Sequence, residues 1–164
     1  MILTPFILKY MDNIVKLFIK TKYSEFTNIK ELKDHIVLIG YGRVGSMVSE
    51  FLNDHNLEHV IIENDLNAFS LAKNDGRRVF LGNAYDDNML ENVSILNANY
   101  IIISIGFSYG LVPIVNKIEK IVGPEKIIVK VSKFSEKEAL EKHNIKNIIV
   151  ETEKTANTII DYLK

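Results

Sequence analysis

The feature that most constrains the fold is a glycine-rich motif that directly follows an apolar, β-branched run. The run is His35-Ile36-Val37-Leu38-Ile39, and the motif is Gly40-Tyr41-Gly42-Arg43-Val44-Gly45. In such a pattern the first glycine permits a tight turn off a strand, the second lets the backbone approach a pyrophosphate, and the third lets the next helix pack close to the strand. That helix directs its free N–H groups and the positive end of its dipole at the phosphates. The pattern predicts a strand–turn–helix unit with a phosphate site at the turn.

An acidic residue, Glu63, closes the next apolar run, Val60-Ile61-Ile62. A carboxylate at this place accepts hydrogen bonds from the hydroxyl groups of a ribose. Strand, glycine motif, helix and acid, in this order, predict an adenine-nucleotide site. The alternative is a glycine-rich turn that binds nothing.

Composition limits the classes of protein to consider. A length of 164 residues suits one domain with a substantial core. The net charge of -1 argues against nucleic acid as a partner. The chain has no cysteine, which excludes disulfides, thiol nucleophiles and thiolate metal sites. Its four histidines show no metal-ligand spacing, so we expect no metal site.

Beyond residue 34 the chain alternates short apolar runs with helical patterns. Continuous β-branched runs indicate strands that helices bury on both faces, and strand–helix units at this spacing give a parallel, doubly wound, Rossmann-like α/β sheet. The predicted strands are 36–39, 60–62, 78–81, 100–105, 127–131 and 147–150. The predicted helices are 44–53, 66–73, 88–93, 111–121, 136–143 and 154–163.

Ligands of such sheets bind beyond the carboxyl ends of the strands, near the switch in strand order. We therefore expect segments 41–43, 63–65, 82–84 and 104–107 to converge on one crevice. The candidate binding residues for an adenine nucleotide, NAD(H) or AMP/ATP, are Gly40, Tyr41, Gly42, Arg43, Val44, Gly45, Glu63, Asn64, Asp65, Asn83, Ala84, Ser104 and Ile105.

Two of these candidates have alternative interpretations. The guanidinium of Arg43 either pairs with a phosphate or a partner's carboxylate, or is simply solvated. Ser104 has no nucleophile-elbow sequence around it and no histidine placed to activate it, so we interpret it as a small residue that leaves room for adenosine or ribose.

The first 33 residues lack the strand–helix alternation. The opening 1–8 is nearly all apolar and gives way to Lys9, Lys16, Lys20 and Lys22. That order fits either the end of a membrane helix leaving on the cytoplasmic side or an amphipathic helix packed on the domain or on a twin chain. We expect this helical segment and a linker over 1–33, and the nucleotide-binding domain over 34–164.

Three segments resemble the nucleotide-binding half of RCK domains, also called KTN or TrkA-N domains. They are 40–45, 60–65 and Val79-Phe80-Leu81-Gly82-Asn83-Ala84. The sequence Gly-Asn-Ala-Tyr-Asp after the third strand discriminates most, because ordinary dehydrogenases lack such a turn there. The family usually has aspartate where this chain has Asn83. The resemblance runs from about residue 36 to residue 150.

The resemblance implies a role in potassium transport, because RCK domains regulate potassium channels, Trk-type uptake systems and Kef-type cation/proton antiporters. The opening 2–6 is similar to the end of the last transmembrane helix of Kef-like antiporters, and 144–163 resembles the tail of their nucleotide-binding domain. The family's glutathione-responsive members carry arginine near the end of strand five, where this chain has Lys130, so glutathione sensing does not carry over. The implied protein is the cytosolic, ligand-sensing domain of such an antiporter, at the cytoplasmic face of the cell membrane.

The resemblance also implies a homodimer and a membrane transport domain, in the same or a partner polypeptide. The resemblance implies pairing through the later helices, and two sets of apolar residues in this chain offer surface for such pairing. They are Leu111, Val112, Ile114, Val115, Ile118 and Ile121 on one helix, and Ile159, Ile160 and Leu163 on the last.

The same motif also occurs in enzymes. A dehydrogenase needs a substrate pocket and usually a general acid–base near the nicotinamide, whereas the nucleotide fold uses almost all residues here. A regulatory module needs only different ligand affinities in two conformations. We therefore expect a non-enzymatic regulatory domain. The alternatives are a small NAD-dependent oxidoreductase and a free-standing nucleotide-binding subunit of a Trk-type uptake system.

Overall fold

A computed structural model describes residues 32–106 and 110–164 of the chain. These residues belong to one compact unit, Leu32–Lys164. Most of the helical segment and linker expected over 1–33 lies outside the described residues, as does Phe107 of the expected segment 104–107.

Six strands form a single parallel sheet. They are β1 (His35–Ile39), β2 (His59–Glu63), β3 (Val79–Leu81), β4 (Ala98–Ile103), β5 (Ile127–Val131) and β6 (Asn147–Val150). Their order is β3-β2-β1-β4-β5-β6, and every neighbouring pair is parallel. The order switches direction between β1 and β4, which confirms the predicted doubly wound, Rossmann-like sheet.

Helices alternate with the strands. They are α1 (Arg43–Asp54), α2 (Leu66–Asn74), α3 (Asp87–Asn92), α4 (Leu111–Val122), α5 (Phe134–Glu141) and α6 (Glu151–Asp161), with short 3-10 turns at Ile95–Asn97 and Pro124–Lys126. Within the described residues no helix has both the length and the apolar character that a membrane crossing requires.

The central strands form the core because their side chains are apolar on both faces. Leu38, Ile61, Ile101 and Val129 are fully buried. Each such side chain contributes roughly 1.5–3 kcal/mol by leaving water. The sheet is therefore a rigid platform that fixes the loops at its carboxyl edge.

Three elements differ from the prediction by two residues or more. One is α5, predicted over 136–143 but spanning Phe134–Glu141. The fourth strand begins two residues earlier than expected and ends at Ile103, so Ser104 and Ile105 lie in the loop that follows it. The last helix begins at Glu151 directly after β6. Its first turn carries Glu151 and Glu153, whose negative charges stabilise a helix N-terminus because they interact favourably with the positive end of its dipole.

The apolar set on α4 was expected to pack partly on its own sheet and partly on a second chain, and only Val112 and Ile121 of this set remain half-buried. Leu111, Ile114, Val115 and Ile118 are buried within the unit itself. They pack inside the domain, as an amphipathic helix on its own sheet requires. On α6, by contrast, Ile159 and Ile160 are exposed, and so is Leu163 just beyond it.

Candidate functional site

Four loops meet at the carboxyl edge of the sheet, and hydrogen bonds join them. The Gly82 N–H donates to the Glu63 carbonyl at 2.8 Å, and the Gly40 N–H donates to the Ile62 carbonyl at 2.9 Å. The Ser104 hydroxyl donates to the Gly40 carbonyl at 3.0 Å. The turns after β1, β2, β3 and β4 are therefore neighbours, as the sequence predicted.

Two glycines of the motif are required by packing. Gly40 has a φ of +99°, and a Cβ there would lie 3.1 Å from the Ile105 backbone nitrogen. A Cβ on Gly45 would overlap the Gly40 carbonyl and lie 2.7 Å from the Ser104 hydroxyl. Glycine at these positions lets α1 begin directly against the ends of β1 and β4.

The middle glycine of the motif, Gly42, faces open space. A Cβ on this residue would have no atom within 4 Å. Gly42 is the N-cap of α1, and no side chain caps this end of the helix. By contrast, Asp65 caps α2 and Asp86 caps α3 with their side chains. The first N–H groups of α1 thus stand uncapped beside an open surface, which is an arrangement that accepts an anion.

The carboxylate of Glu63 is bound to the backbone of this turn. One oxygen accepts a hydrogen bond from the Tyr41 N–H at 2.5 Å, and the other accepts from Asn64 N–H at 2.7 Å and Asp65 N–H at 2.8 Å. Glu63 is buried. A carboxylate offers about four acceptor positions, so one remains for a ligand hydroxyl. Glu63 therefore shapes the glycine-rich turn as well as offering an acceptor.

The side chain of Tyr41 points away from the site. It is buried with Leu38, Ile61 and Ala72, and its hydroxyl donates to Asp75 Oδ2 at 2.8 Å. Burial, together with the hydrogen bond to Asp75, raises the pKa of the Tyr41 hydroxyl. Only the backbone of Tyr41 is left at the predicted site.

The loop after β3 presents a small turn. Asn83 Oδ1 accepts from the Tyr85 N–H at 2.9 Å, and Asn83 is exposed while Ala84 is buried. After β2, Asp65 Oδ1 accepts from Asn67 N–H and Ala68 N–H at the start of α2. Asp65 is therefore occupied with capping.

Of the remaining predicted residues, Arg43 and Val44 begin α1, the exposed Asn64 follows β2, and Ser104 and Ile105 follow β4. Arg43 is the first residue of the helix and is exposed, and Val44 is half-buried. Val44 and Ser104 also line a mainly apolar cleft of about 330 Å³ between α1 and α6. Lys130 at the end of β5 borders this cleft and pairs with Glu151 at 3.0 Å. The structure thus brings the predicted residues to one edge of the sheet, while the side chains of Tyr41 and Asp65 have structural partners instead.

A residue that the sequence did not indicate, Lys117 of α4, contacts the loop after β3. Its ammonium group donates to the Tyr85 carbonyl at 2.5 Å and lies 2.7 Å from Asp87 Oδ1. No local pattern relates position 117 to positions 85 and 87, because the contact depends on how α4 crosses the sheet. Among the residues the structure describes, no group of three or more His, Asp or Glu side chains could hold a metal ion.

The open face at Gly42, the uncapped end of α1 and the free acceptor of Glu63 fit a phosphate joined to a ribose. The TrkA-N domain profile matches residues 36–151, and the chain belongs to this family. The matched segment begins within β1 and ends at the first residue of α6.

Curated relatives carry the same segment within longer chains. Potassium channel protein 1 of Methanocaldococcus jannaschii is 30% identical over 101 residues, which are 56% of this chain and 30% of that protein. The putative cation/proton antiporter YbaL of Escherichia coli is 30% identical over 79 residues, which are 48% of this chain and 14% of that protein. The match thus covers less than a third of either relative.

Solved structures share the fold. The TrkA-N domain of YbaL from Escherichia coli superposes with a TM-score of 0.74 at 24% identity, covering 82% of this chain and 99% of that one. The Shewanella denitrificans Kef CTD in its AMP-bound form gives 0.67 at 21% identity and covers 79% of each chain. The GsuK channel bound to NAD gives 0.62 at 16% identity, covering 89% of this chain and 27% of that one.

Proposed function

We propose that this chain is the ligand-sensing regulatory domain of a potassium transport protein, most similar to a Kef-type cation/proton antiporter. The observation that carries the proposal is the uncapped N-terminus of α1 at Gly42, open to solvent beside the Glu63 carboxylate. Membership of the TrkA-N family supports it, and so do relatives named as a potassium channel and a cation/proton antiporter.

The ligand we propose is an adenine nucleotide, either NAD(H) or AMP/ATP. Phosphate oxygens would accept from the N–H groups at the start of α1, and the ribose would donate to Glu63. Asn83 and Ala84 would border the adenosine from the β3 side. The AMP-bound Kef domain and the NAD-bound GsuK channel support this class of ligand. The bound nucleotide supplies a phosphate anion and a ribose diol, and the residues of this chain hold both.

We propose regulation rather than catalysis. Other side chains at the carboxyl edge are occupied with capping and loop structure, as Asp65 and Ser104 illustrate. A regulatory site requires only that the ligand bind one conformation better than another. A coupling of about 1–3 kcal/mol changes affinity roughly 5- to 150-fold, which suffices to bias a transporter.

The partner would be a membrane transport domain, in this polypeptide or in another, with the present domain at the cytoplasmic face. The experiment is potassium flux from vesicles that contain the full-length transporter, comparing wild type with Gly42→Val at several AMP and NADH concentrations. We expect a nucleotide-dependent flux that the variant loses. Equal flux and equal nucleotide response in both would remove the regulatory role.

We also propose that the domain pairs as a homodimer through the exposed apolar residues of α6. A twofold axis would place the same patch on both chains. Ile160→Glu should shift the molar mass measured by light scattering from dimer toward monomer, while Asn157→Asp, exposed on the same helix, should leave it unchanged. A wild-type monomer at micromolar concentration, or a variant that stays dimeric, would contradict this pairing.

A further inference from the structure

Lys117 makes three interactions with the turn that follows β3. Its ammonium donates to the Tyr85 carbonyl at 2.5 Å, pairs with Asp87 Oδ1 at 2.7 Å, and lies 4.8 Å from the centre of the Tyr85 ring. The lysine side chain is 21% exposed, whereas that of Asp87 is 79% exposed. One cation on α4 therefore holds a backbone carbonyl, a carboxylate and an aromatic face of one short loop.

The backbone N–H of Tyr85 contacts Asn83, one of the candidate nucleotide-binding residues. The Tyr85 N–H donates to Asn83 Oδ1 at 2.9 Å. Tyr85 is thus fixed at its N–H by Asn83 and at its carbonyl by Lys117. The position of the Asn83 amide depends on Tyr85, and the position of Tyr85 depends on Lys117.

We propose that Lys117 is a positioning residue for the nucleotide site, which orders the turn at 82–87 so that the Asn83 amide is preformed for the ligand. This inference rests on the proposed nucleotide site. It adds a residue of α4, remote in sequence from the glycine motif, as a determinant of affinity. A preformed turn binds more tightly because less conformational entropy is lost when the ligand arrives.

A purely structural role for Lys117 makes a different prediction. An exposed ion pair adds little to stability and has no effect on a ligand that neither partner touches. If Lys117 acts through Asn83, its removal weakens nucleotide binding only while the Asn83 amide is present. The two roles therefore predict different nucleotide affinities for the variant that lacks both Lys117 and the Asn83 amide.

The experiment compares Lys117→Met, Lys117→Arg, Asn83→Ala and the double variant Lys117→Met/Asn83→Ala. Lys120→Met is the control, since Lys120 is exposed on the same helix and joins no ion pair within the described ranges 32–106 and 110–164. Calorimetry measures AMP and NADH affinity, and hydrogen exchange without nucleotide measures protection of the amides at 82–88.

We expect Lys117→Met to weaken affinity about three- to tenfold, Lys117→Arg to restore most of it, and the effect to disappear in the Asn83→Ala background. Amides at 82–88 should exchange faster in Lys117→Met than in Lys120→Met. Unchanged affinity, additive effects in the double variant, or unchanged exchange would each overturn the inference. Wild-type protein that binds neither AMP nor NADH would overturn the proposed function as well, and this result is distinguishable because it appears before any substitution is made.

Discussion

The Glu63 carboxylate and the Tyr41 N–H are joined by a hydrogen bond of 2.5 Å between the end of β2 and the glycine-rich turn after β1. The residue proposed to hold a ribose is therefore also the residue that shapes the glycine-rich turn proposed to bind phosphate. The backbone N–H groups of Asn64 and Asp65 also donate to this carboxylate. A change at Glu63 should consequently affect stability and affinity together.

Glu63→Gln tests this double role. The amide NH₂ must replace one oxygen that accepts a backbone N–H, so at least one buried donor loses its acceptor. We expect a loss of about 1–3 kcal/mol in the free energy of unfolding, together with weaker nucleotide binding. Urea denaturation and calorimetry measure the two effects. Glu50→Gln, on the exposed side of α1, is the matched control. A Glu63→Gln protein as stable as this control would show that the hydrogen bond lost to the amide NH₂ contributes nothing to stability.

Substitution by alanine should lower the free energy of unfolding much more at Gly45 than at Gly42. Gly45→Ala places a methyl group against the Gly40 carbonyl. We expect a loss of about 3 kcal/mol in the free energy of unfolding, because the backbone at Gly40 or Gly45 has to move. Gly42→Ala adds a methyl group in open space at an extended backbone conformation, so it should stay within about 1 kcal/mol of wild type. Thermal denaturation of both variants measures the difference. Similar losses in both would mean that the close approach of α1 to β1 is not what requires Gly45.

The position of Glu63 predicts a preference for NAD(H) over NADP(H). Its carboxylate would repel a 2′-phosphate, and positions 64 to 67 contain no arginine to neutralise one. We expect at least about tenfold tighter binding of NADH than of NADPH, equivalent to about 1.4 kcal/mol. Parallel calorimetric titrations measure the ratio. Equal affinities, or tighter binding of NADPH, would contradict the assigned ribose position.

A buried histidine predicts how stability depends on pH. His35 is fully buried in β1, its Nε2 is 2.8 Å from the Val93 carbonyl, and its Nδ1 has no partner in the part of the chain that the structure describes. Burial lowers the pKa of His35 below its usual 6.5. The unfolded chain therefore takes up the proton first, so this contribution to stability is present above pH 6.5 and is lost as the pH falls toward the folded-state pKa.

The measurement is the midpoint of thermal unfolding between pH 7.5 and pH 5. We expect the midpoint of wild type to fall over this range and the dependence to be weaker in His35→Gln, which keeps a donor for Val93 but does not titrate. His55→Gln, at an exposed histidine, should retain the wild-type slope. The same slope in all three proteins would exclude His35 as the source.

Local sequence patterns predicted the sheet, because each strand is an apolar β-branched run and each helix has its own periodicity. They misplaced β4, since Asn99 is a weak strand former and Ile105 packs over Gly40 instead of extending the strand. They also predicted that α6 begins at residue 154 rather than at Glu151. Glu151 and Thr152 are polar and resemble a loop, although acidic residues favour the first turn of a helix.

The candidate site was predictable where it depends on the backbone and unpredictable where it depends on long-range contacts. The glycine motif and Glu63 follow directly from the sequence. The partners of Tyr41 and Lys117 do not, because their contacts cross 34 and 32 residues of chain to Asp75 and Tyr85. Which side chains a fold brings together at such distances depends on the packing of whole elements, which no local pattern encodes.

We infer that the turn at Gly42 binds the phosphate of an adenine nucleotide. Calorimetric titration of AMP and NADH into wild type and Gly42→Val, with equal thermal stability of both proteins established first, tests it most directly. We expect saturable binding of at least one nucleotide to wild type and a loss of at least about tenfold in Gly42→Val, because the side chain would occupy the space of the phosphate. Equal affinity in the two proteins would contradict it.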